Sequence, residues 1–228
     1  SEVISKAREE LNSNFDRFTE REPFTGLVKV NPRKALSALT VAGKVDDFPE
    51  AFWSAMINEL PKDISPRLRR VFLNRIFRLP NAIIVRLRYT LSRWLEQNMV
   101  AILEFDTGLG WAVYDHIVEG ILSGGSGATK SSLGEMHQGG NVIQRSRRTL
   151  THAINGPIGM CTEALFHAVP GDEHEADSLI PDYVKIRIKL LFSAPGEGAD
   201  HAVTITTRRL PWIMYVDPCW TKKHLIPR

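Results

Sequence analysis

The stretch HAINGPIGMCTEAL, residues 152–165, places a Gly-Pro step inside a segment whose other residues favour a helix. A second stretch with a helix-start pattern, VDPCWTKKHLIP, occupies residues 216–227 near the end of the chain. There Asp217 is of the residue type that caps a helix N-terminus, and Pro218 suits the first helical position. Both stretches predict helices with defined starting points. Neither contains a recognisable catalytic constellation.

The N-terminal half shows a series of helical patterns separated by short joints. Apolar residues recur every three or four positions from Glu2 to about Glu20, and Glu22-Pro23 ends that segment. Each later helix has a start signal, either a capping side chain or a proline. These signals are Asn31-Pro32, Asp47, Ser65-Pro66 and Pro80, and a sixth helix is expected over Gly110–Leu122.

Successive helices that are joined by short connections are typical of stacked antiparallel helices. We therefore predict a mostly α fold of irregular stacked antiparallel helices, a HEAT-like helical repeat or solenoid, although no strict sequence repeat recurs. The segment 202–216 is ambiguous, because Val203, Ile205 and its threonines favour a strand. Its helical surroundings, together with Pro211, which is awkward in a central strand, favour a helix.

A change in composition divides the chain. Residues 123–140 read SGGSGATKSSLGEMHQGG, with six glycines and four serines. This predicts a flexible surface loop over 123–144 between two helical parts. The expected organisation is an N-terminal helical array, 1–122, and a C-terminal helical part, 145–228, packed on the first and continuing beyond this sequence.

Net charge, cysteine content and the length of apolar runs restrict the class of protein to which the chain can belong. The formal net charge is +3, which permits an anionic partner without requiring one. Two cysteines, Cys161 and Cys219, are too few for a disulfide framework and are expected to be reduced, buried thiols. No apolar run is long enough to cross a bilayer and no signal peptide is recognisable, so we expect a cytoplasmic protein. The absence of an initiator Met and the stop at Arg228, within a helical pattern, predict a fragment of a longer protein.

Motifs for nucleotides, metals and nucleophiles are weak. Gly124 is followed five residues later by Thr129 where a phosphate-binding P-loop has a second glycine, so the segment reads as a linker. The acidic run containing His174 reads as solvated charge, not as a metal site. Cys161 lies nine residues after His152 without the context of a cysteine hydrolase. The sequence therefore predicts no catalytic residue, no cofactor and no metal.

Arginines form the most suggestive pattern. On the fourth predicted helix three of them follow one another with helical spacing, opposite the apolar stripe, and more follow on the fifth helix. Aligned arginines suit a phosphate backbone, although the outer face of an amphipathic helix looks similar. The candidate nucleic-acid-binding residues are Arg67, Arg70, Arg78, Arg86 and Arg93.

Three further pieces carry a resemblance to a known family. They are Phe48–Trp53, the run Ala153–Gly159 followed by Thr162–Leu165, and Asp217-Pro218 with Trp220 and His224–Pro227. Together they resemble the helical region of large bacterial proteins that are associated with antiphage defence and often carry a sirtuin-like domain. The chain departs from that pattern at Gly156 and Cys219, and its glycine loop resembles an insertion.

The resemblance implies a helical sensor or scaffold arm without catalytic residues of its own. Any NAD-consuming, sirtuin-like activity would lie elsewhere in the longer protein. We therefore expect a non-catalytic recognition or assembly segment, in phage defence, that binds a protein partner or other parts of its own chain. The alternatives are a nucleic-acid-binding module using residues 67–93 and, less favoured, an enzyme. The motif residues with a structural or recognition role are Asn155, Gly156, Pro157, Gly159, Glu163, Asp217, Pro218 and Trp220.

Overall fold

The structure is a computed structural model, and it describes residues 4–5, 23–134, 136–143, 146–169 and 178–227. Within these ranges the chain is mostly α-helical, which confirms the predicted fold class at that level. Most of the first predicted helix, from Glu2 to about Glu20, lies outside the described residues. The acidic run around His174 lies outside them as well.

The elements follow one another with short connections. Up to residue 123 the helices are α1 (Pro23–Val30), α2 (Pro32–Gly43), α3 (Glu50–Glu59), α4 (Pro66–Ile76), α5 (Asn81–Arg86), α6 (Arg88–Phe105) and α7 (Thr107–Ser123). From residue 124 they are α8 (Gly125–Ala128), α9 (Leu150–Ala153), α10 (Pro157–His167), α11 (Asp182–Phe192), α12 (Gly198–Arg208), α13 (Leu210–Val216) and α14 (Pro218–His224). Strands β1 (Met136–Gln138) and β2 (Asn141–Ile143) pair as a short antiparallel hairpin.

Several helix starts are set by the side chains that the sequence predicts. Asn31 accepts a hydrogen bond from the backbone N–H of Lys34 at 3.0 Å, and Ser65 accepts one from Leu68 at 3.3 Å. In both cases a proline occupies the first turn. Such caps satisfy backbone donors that the helix itself leaves unpaired. The predicted starts of α2 and α4 are confirmed.

Other boundaries differ from the prediction. Helix α1 begins at Pro23, where a helix was expected to end, because proline is well tolerated in a first helical turn. Asp47 was expected to cap the third helix, but α3 begins at Glu50 with Pro49 in the cap position. The single helix expected after Pro80 is interrupted at Leu87 and forms α5 and α6.

The ambiguous segment 202–216 is helical, as predicted. It forms the end of α12 and the whole of α13, and the two helices meet at Arg209. Pro211 lies in the first turn of α13, where the backbone N–H that proline lacks would have no partner within the helix. The hydroxyls of Thr204, Thr206 and Thr207 donate to carbonyls four residues earlier, so the threonines that favour a strand are accommodated in α12.

The glycine-rich segment is partly packed into the fold. It contains α8 and the hairpin, and the side chains of Ala128 and Thr129 are buried. The Thr129 hydroxyl donates to the carbonyl of Pro195 at 2.6 Å. The first residues of the predicted loop therefore form a contact surface for the turn before α12, because glycine and alanine allow two backbones to approach closely.

Helix α10 is the centre of the core. Every residue from Pro157 to Phe166 is buried, and the helix packs against α6 on one side and α12 on another. The Tyr114 hydroxyl, from α7, donates to the Cys161 carbonyl at 3.0 Å. A helix that is buried around its whole circumference must be enclosed by other elements. The elements around α10 come from before and after it in the chain, and their buried residues form one core.

Two glycines permit this enclosure. A Cβ atom at Gly159 would overlap the carbonyl oxygen of Ala153, and one at Gly156 would overlap the His201 ring. The turn between α9 and α10 thus needs hydrogen atoms in place of side chains.

A Gly159→Ala substitution tests this requirement. We expect it to lower the free energy of unfolding by about 3 kcal/mol, because the methyl group meets backbone that cannot rotate away. Chemical denaturation of both proteins measures the difference. Gly26→Ala in α1 is the matched control, since open space surrounds that position and alanine should stabilise the helix by about 0.5–1 kcal/mol. Equal effects of the two substitutions would contradict the packing described here.

Candidate functional site

Helix α4 presents an arginine-rich face to solvent. Its sequence, PRLRRVFLNRI, buries Phe72, Leu73 and Ile76 in the core. The helical period then places Arg67 and Arg70 on the opposite side, where both are exposed. The face is therefore a direct result of the spacing in the sequence.

Five arginines gather on this side of the molecule, four from α4 and the residues after it and one from α2. We call them the arginine surface: Arg33, Arg67, Arg70, Arg75 and Arg78.

They line two adjoining depressions of about 280 and 310 Å³ that share Arg67, Val71 and Arg75. No aspartate or glutamate lines either depression. Clustered guanidinium groups that outnumber the nearby carboxylates produce a positive local potential.

One member of the surface has an acidic partner. Arg70 donates to Asp106 at 2.6 Å, and 56% of the Arg70 side chain is exposed, so the pair adds little to stability. The N–H of Leu109 lowers the pKa of Asp106, and Arg70 lowers it further, although partial desolvation acts in the opposite direction. Within the described part of the chain the other four arginines form no ion pair.

Hydroxyl groups extend the second depression. Ser37, Thr40 and Ser65 line it beside Arg33 and Arg67. The Thr40 hydroxyl donates to the Leu36 carbonyl, whereas Ser65 only accepts, so its proton remains available. Hydroxyl and guanidinium donors on one side suit the oxygens of a phosphate group.

The structure separates the five arginines predicted from the sequence. Arg67, Arg70 and Arg78 line the same depression. Arg86 is exposed at the end of α5, and Arg93 donates to Glu96 at 2.8 Å and to the Ile154 carbonyl at 3.4 Å, so neither lines it.

Sequence reasoning did not select Arg33 as a site residue, because it lies on a different helix. Only the packing of α2 against α4 brings it to the surface, and no spacing within the sequence signals that contact.

The predicted motif around Gly156 serves the fold. The side-chain amide of Asn155 donates to the Thr151 carbonyl, and the backbone carbonyl of Asn155 accepts from the backbone N–H of Ser132. Pro157 occupies the first turn of α10, and Gly156 and Gly159 provide the close contacts described above. These residues hold α9, α10 and the glycine-rich segment together.

Glu163 is the charged residue of the buried helix. Its carboxylate accepts from Arg208 at 2.9 Å and lies 3.9 Å from Arg209. A buried carboxylate requires such partners, because desolvation without them is costly. Glu163 thereby attaches α10 to the end of α12.

Asp217, in the second predicted motif, is a buried junction. It caps α14 by accepting from the N–H of Trp220 at 3.0 Å, pairs with Lys185 at 2.7 Å, and accepts from the N–H of Ile180 at 3.4 Å. Burial alone would raise the pKa of Asp217, but Lys185 and the two N–H groups lower it below its ordinary value. Pro218 begins α14 as predicted, and Trp220 is buried.

His201, on α12, is buried beside the Gly156 turn. It is completely buried, and neither ring nitrogen has a hydrogen-bond partner. Its Nε2 lies 3.8 Å from the Glu197 carboxylate, which Arg147 also binds. Burial lowers the pKa of His201, and the charge of His152 lowers it further, while Glu197, Asp200 and a backbone contact at Arg147 act in the opposite direction.

The two cysteines differ. Cys161 is buried as predicted, and burial raises the pKa of its thiol to about 12, so it is a poor nucleophile. Cys219 was expected to be buried but is exposed, because α14 turns the neighbouring Trp220 inward instead. In the described ranges no three metal-binding side chains come together. The same ranges contain no helix with the length and hydropathy needed to cross a bilayer.

Comparison with protein-family models, with curated proteins and with solved structures finds no match to this chain. The resemblance to bacterial antiphage-defence proteins therefore depends on the sequence motifs alone and stays a prediction.

His201 predicts a pH dependence of stability. The imidazole of the unfolded chain titrates near 6.5, whereas that of the folded protein has a lowered pKa. As the pH falls through 6.5 the unfolded chain binds the proton first, so stability should decrease. Urea denaturation from pH 7.5 to 5.5 should show a smaller decrease for His201→Leu than for the wild type. The exposed-site control His167→Leu should keep the wild-type slope, and an unchanged slope in both variants would contradict the assignment.

Asp217→Asn should lower the free energy of unfolding by about 3 kcal/mol at pH 7, because it leaves Lys185 without its buried partner. Asparagine still caps a helix, so the loss reports on the charge. Asp182→Asn, at an exposed position, should change stability by less than about 1 kcal/mol. Since the pKa of Asp217 is lowered, the wild-type advantage should persist above pH 4 and disappear as the pH falls below it. Equal effects of the two substitutions in urea denaturation would contradict the role of the pair.

Proposed function

We propose that this chain is a non-catalytic recognition module whose arginine surface binds nucleic acid. The observation that carries the proposal is the gathering of five arginines around two adjoining depressions without a carboxylate in their lining. Four of these arginines have no ion pair in the described ranges. A solvated helix face would instead alternate its cations with acids, as Arg93 and Glu96 do on α6.

The charge arrangement favours contacts with the phosphate backbone. Arg67, Arg70 and Asn74 follow one another along α4 at steps of three or four residues, so their side chains form a row on the helix. Arg78, two residues after the end of α4, lines the same depression. Phosphate contacts of this type supply affinity and orientation but no sequence specificity. The module would therefore bind nucleic acid with little regard to sequence.

The wider role remains a set of proposals. Membership of a longer, cytoplasmic, bacterial protein that acts in phage defence is implied by the resemblance alone. The HEAT-like stack is also a prediction. Helices α1, α2 and α3 contact one another, as a stack requires, whereas α3 also contacts α6, α4 contacts α7 and α10 contacts α6. A solenoid repeat contacts only its own neighbours.

Fluorescence anisotropy with labelled DNA and RNA, across a range of salt concentrations, tests the function. We expect the Arg67→Ala/Arg78→Ala protein to bind about tenfold more weakly at low salt, with a salt slope shallower by about 1.5 units. The control Lys189→Ala/Lys222→Ala removes the same charge at exposed positions outside the arginine surface and should bind like the wild type.

Two results would contradict the proposal. If both double variants lose the same affinity, the binding depends on net charge and not on the arginine surface. If wild-type anisotropy stays flat at low salt, the protein does not bind nucleic acid and a protein partner becomes the better explanation.

A further inference from the structure

We propose that the nucleic acid bound at the arginine surface is single-stranded and that one of its bases enters a groove between α3, α4 and α6. This inference rests on the proposed function and assigns it a class of ligand. The groove has a volume of about 560 Å³, within the range of small-molecule sites.

The interior of the groove is apolar and partly aromatic. Side chains from the three helices and from the connection between α3 and α4 form its lining. The largest of them is Trp94, which is 8% exposed and packs edge-on against Phe72 at 5.7 Å. A flat, weakly polar ring gains from leaving water for such walls. The two faces of a nucleobase are of this kind, whereas its edges carry hydrogen-bond donors and acceptors.

Amide side chains surround the opening. Asn58, Gln97 and Asn98 line the groove, and the first two are exposed. The Asn98 amide nitrogen donates to the Trp94 carbonyl, which leaves its oxygen as an acceptor. An amide offers a donor and an acceptor side by side, and this pattern matches the edge of a base.

The charges at the groove match a phosphate. Lys62 and Arg69 are its charged lining residues, and no carboxylate lines it. Arg69 donates to the Lys62 carbonyl at 2.8 Å, which holds the guanidinium at the edge of the groove. Both side chains can donate to an anionic group, and the phosphate of a nucleotide supplies one.

Phe105 connects the groove with the arginine surface. The guanidinium of Arg69 lies 5.6 Å from the centre of the Phe105 ring, and that of Arg70 lies 5.4 Å from it. Arg69 lines the groove and Arg70 belongs to the arginine surface. A backbone that follows the arginine surface therefore reaches the groove at this ring.

A base can enter the groove only when it is unpaired. A duplex stacks its bases and pairs their edges, so its phosphates can reach the arginines while its bases cannot reach the amides. Base stacking and edge recognition of this type are features of single-strand binding. The groove thus distinguishes single strands from duplexes.

The test compares three ligands of one sequence by anisotropy: a single-stranded decamer, its duplex, and a single strand whose bases are replaced by abasic sites. DNA and RNA decamers are both measured. We expect the intact single strand to bind about tenfold more tightly than the other two ligands, which keep the phosphates but offer no free base. This comparison requires no protein variant.

Ala101→Leu adds a protein-side test. Ala101 is exposed and lines the groove, so leucine should fill the space without disturbing the core or the charge. The variant should bind the intact single strand about as weakly as the duplex, a loss of about tenfold. Ala51→Leu, an exposed position on α3 outside the groove, should keep the preference for the single strand.

The outcomes separate the two proposals. Equal affinity for all three ligands, with the loss in Arg67→Ala/Arg78→Ala retained, overturns the groove assignment and leaves the proposed function intact. An unchanged single-strand preference in Ala101→Leu also overturns the groove assignment. Absence of binding by any of the ligands overturns both proposals.

Discussion

The structure depends on the burial of α10 against its own preceding turn. Gly159 lies directly over the Ala153 carbonyl, and only a hydrogen atom fits there. This contact allows α9 and α10 to fold back closely, and α6, α7 and α12 then enclose α10. Because protein interiors are close-packed, an extra methyl group here must displace the backbone at Ala153 and not a flexible side chain.

A fully enclosed helix also requires partners for its polar groups. The Thr162 hydroxyl donates to the Ile158 carbonyl, Glu163 has two arginines, and Tyr114 donates to the Cys161 carbonyl. Burial raises the pKa of Tyr114, so its phenol keeps the proton that this hydrogen bond needs. In the described part of the chain, the His201 ring nitrogens have no hydrogen-bond partner, and neither do the buried indole N–H groups of Trp53 and Trp220 or the Nε of Arg88. Every other group named here satisfies the general rule for buried polar atoms.

The sequence predicts local features well because their causes lie within a few residues. Asn31, Ser65 and Asp217 each cap a helix through an N–H three residues later, so the signal and its partner are close in the chain. The exposure of Cys219 depends on which face of a helix meets the core, and it was predicted wrongly. The groove and the position of Arg33 arise where helices far apart in sequence meet, and no linear pattern contains that information.

The arginine surface has a consequence for the folded state itself. Its five arginines line two adjoining depressions, and α4 has no acidic residue in its first turn to offset the partial positive charge of its N-terminus. Mutual repulsion among these groups opposes folding and is only partly screened at physiological ionic strength. The core around α10 must compensate for that repulsion. Under the proposed function, this surface exchanges some stability for an arrangement suited to an anionic ligand.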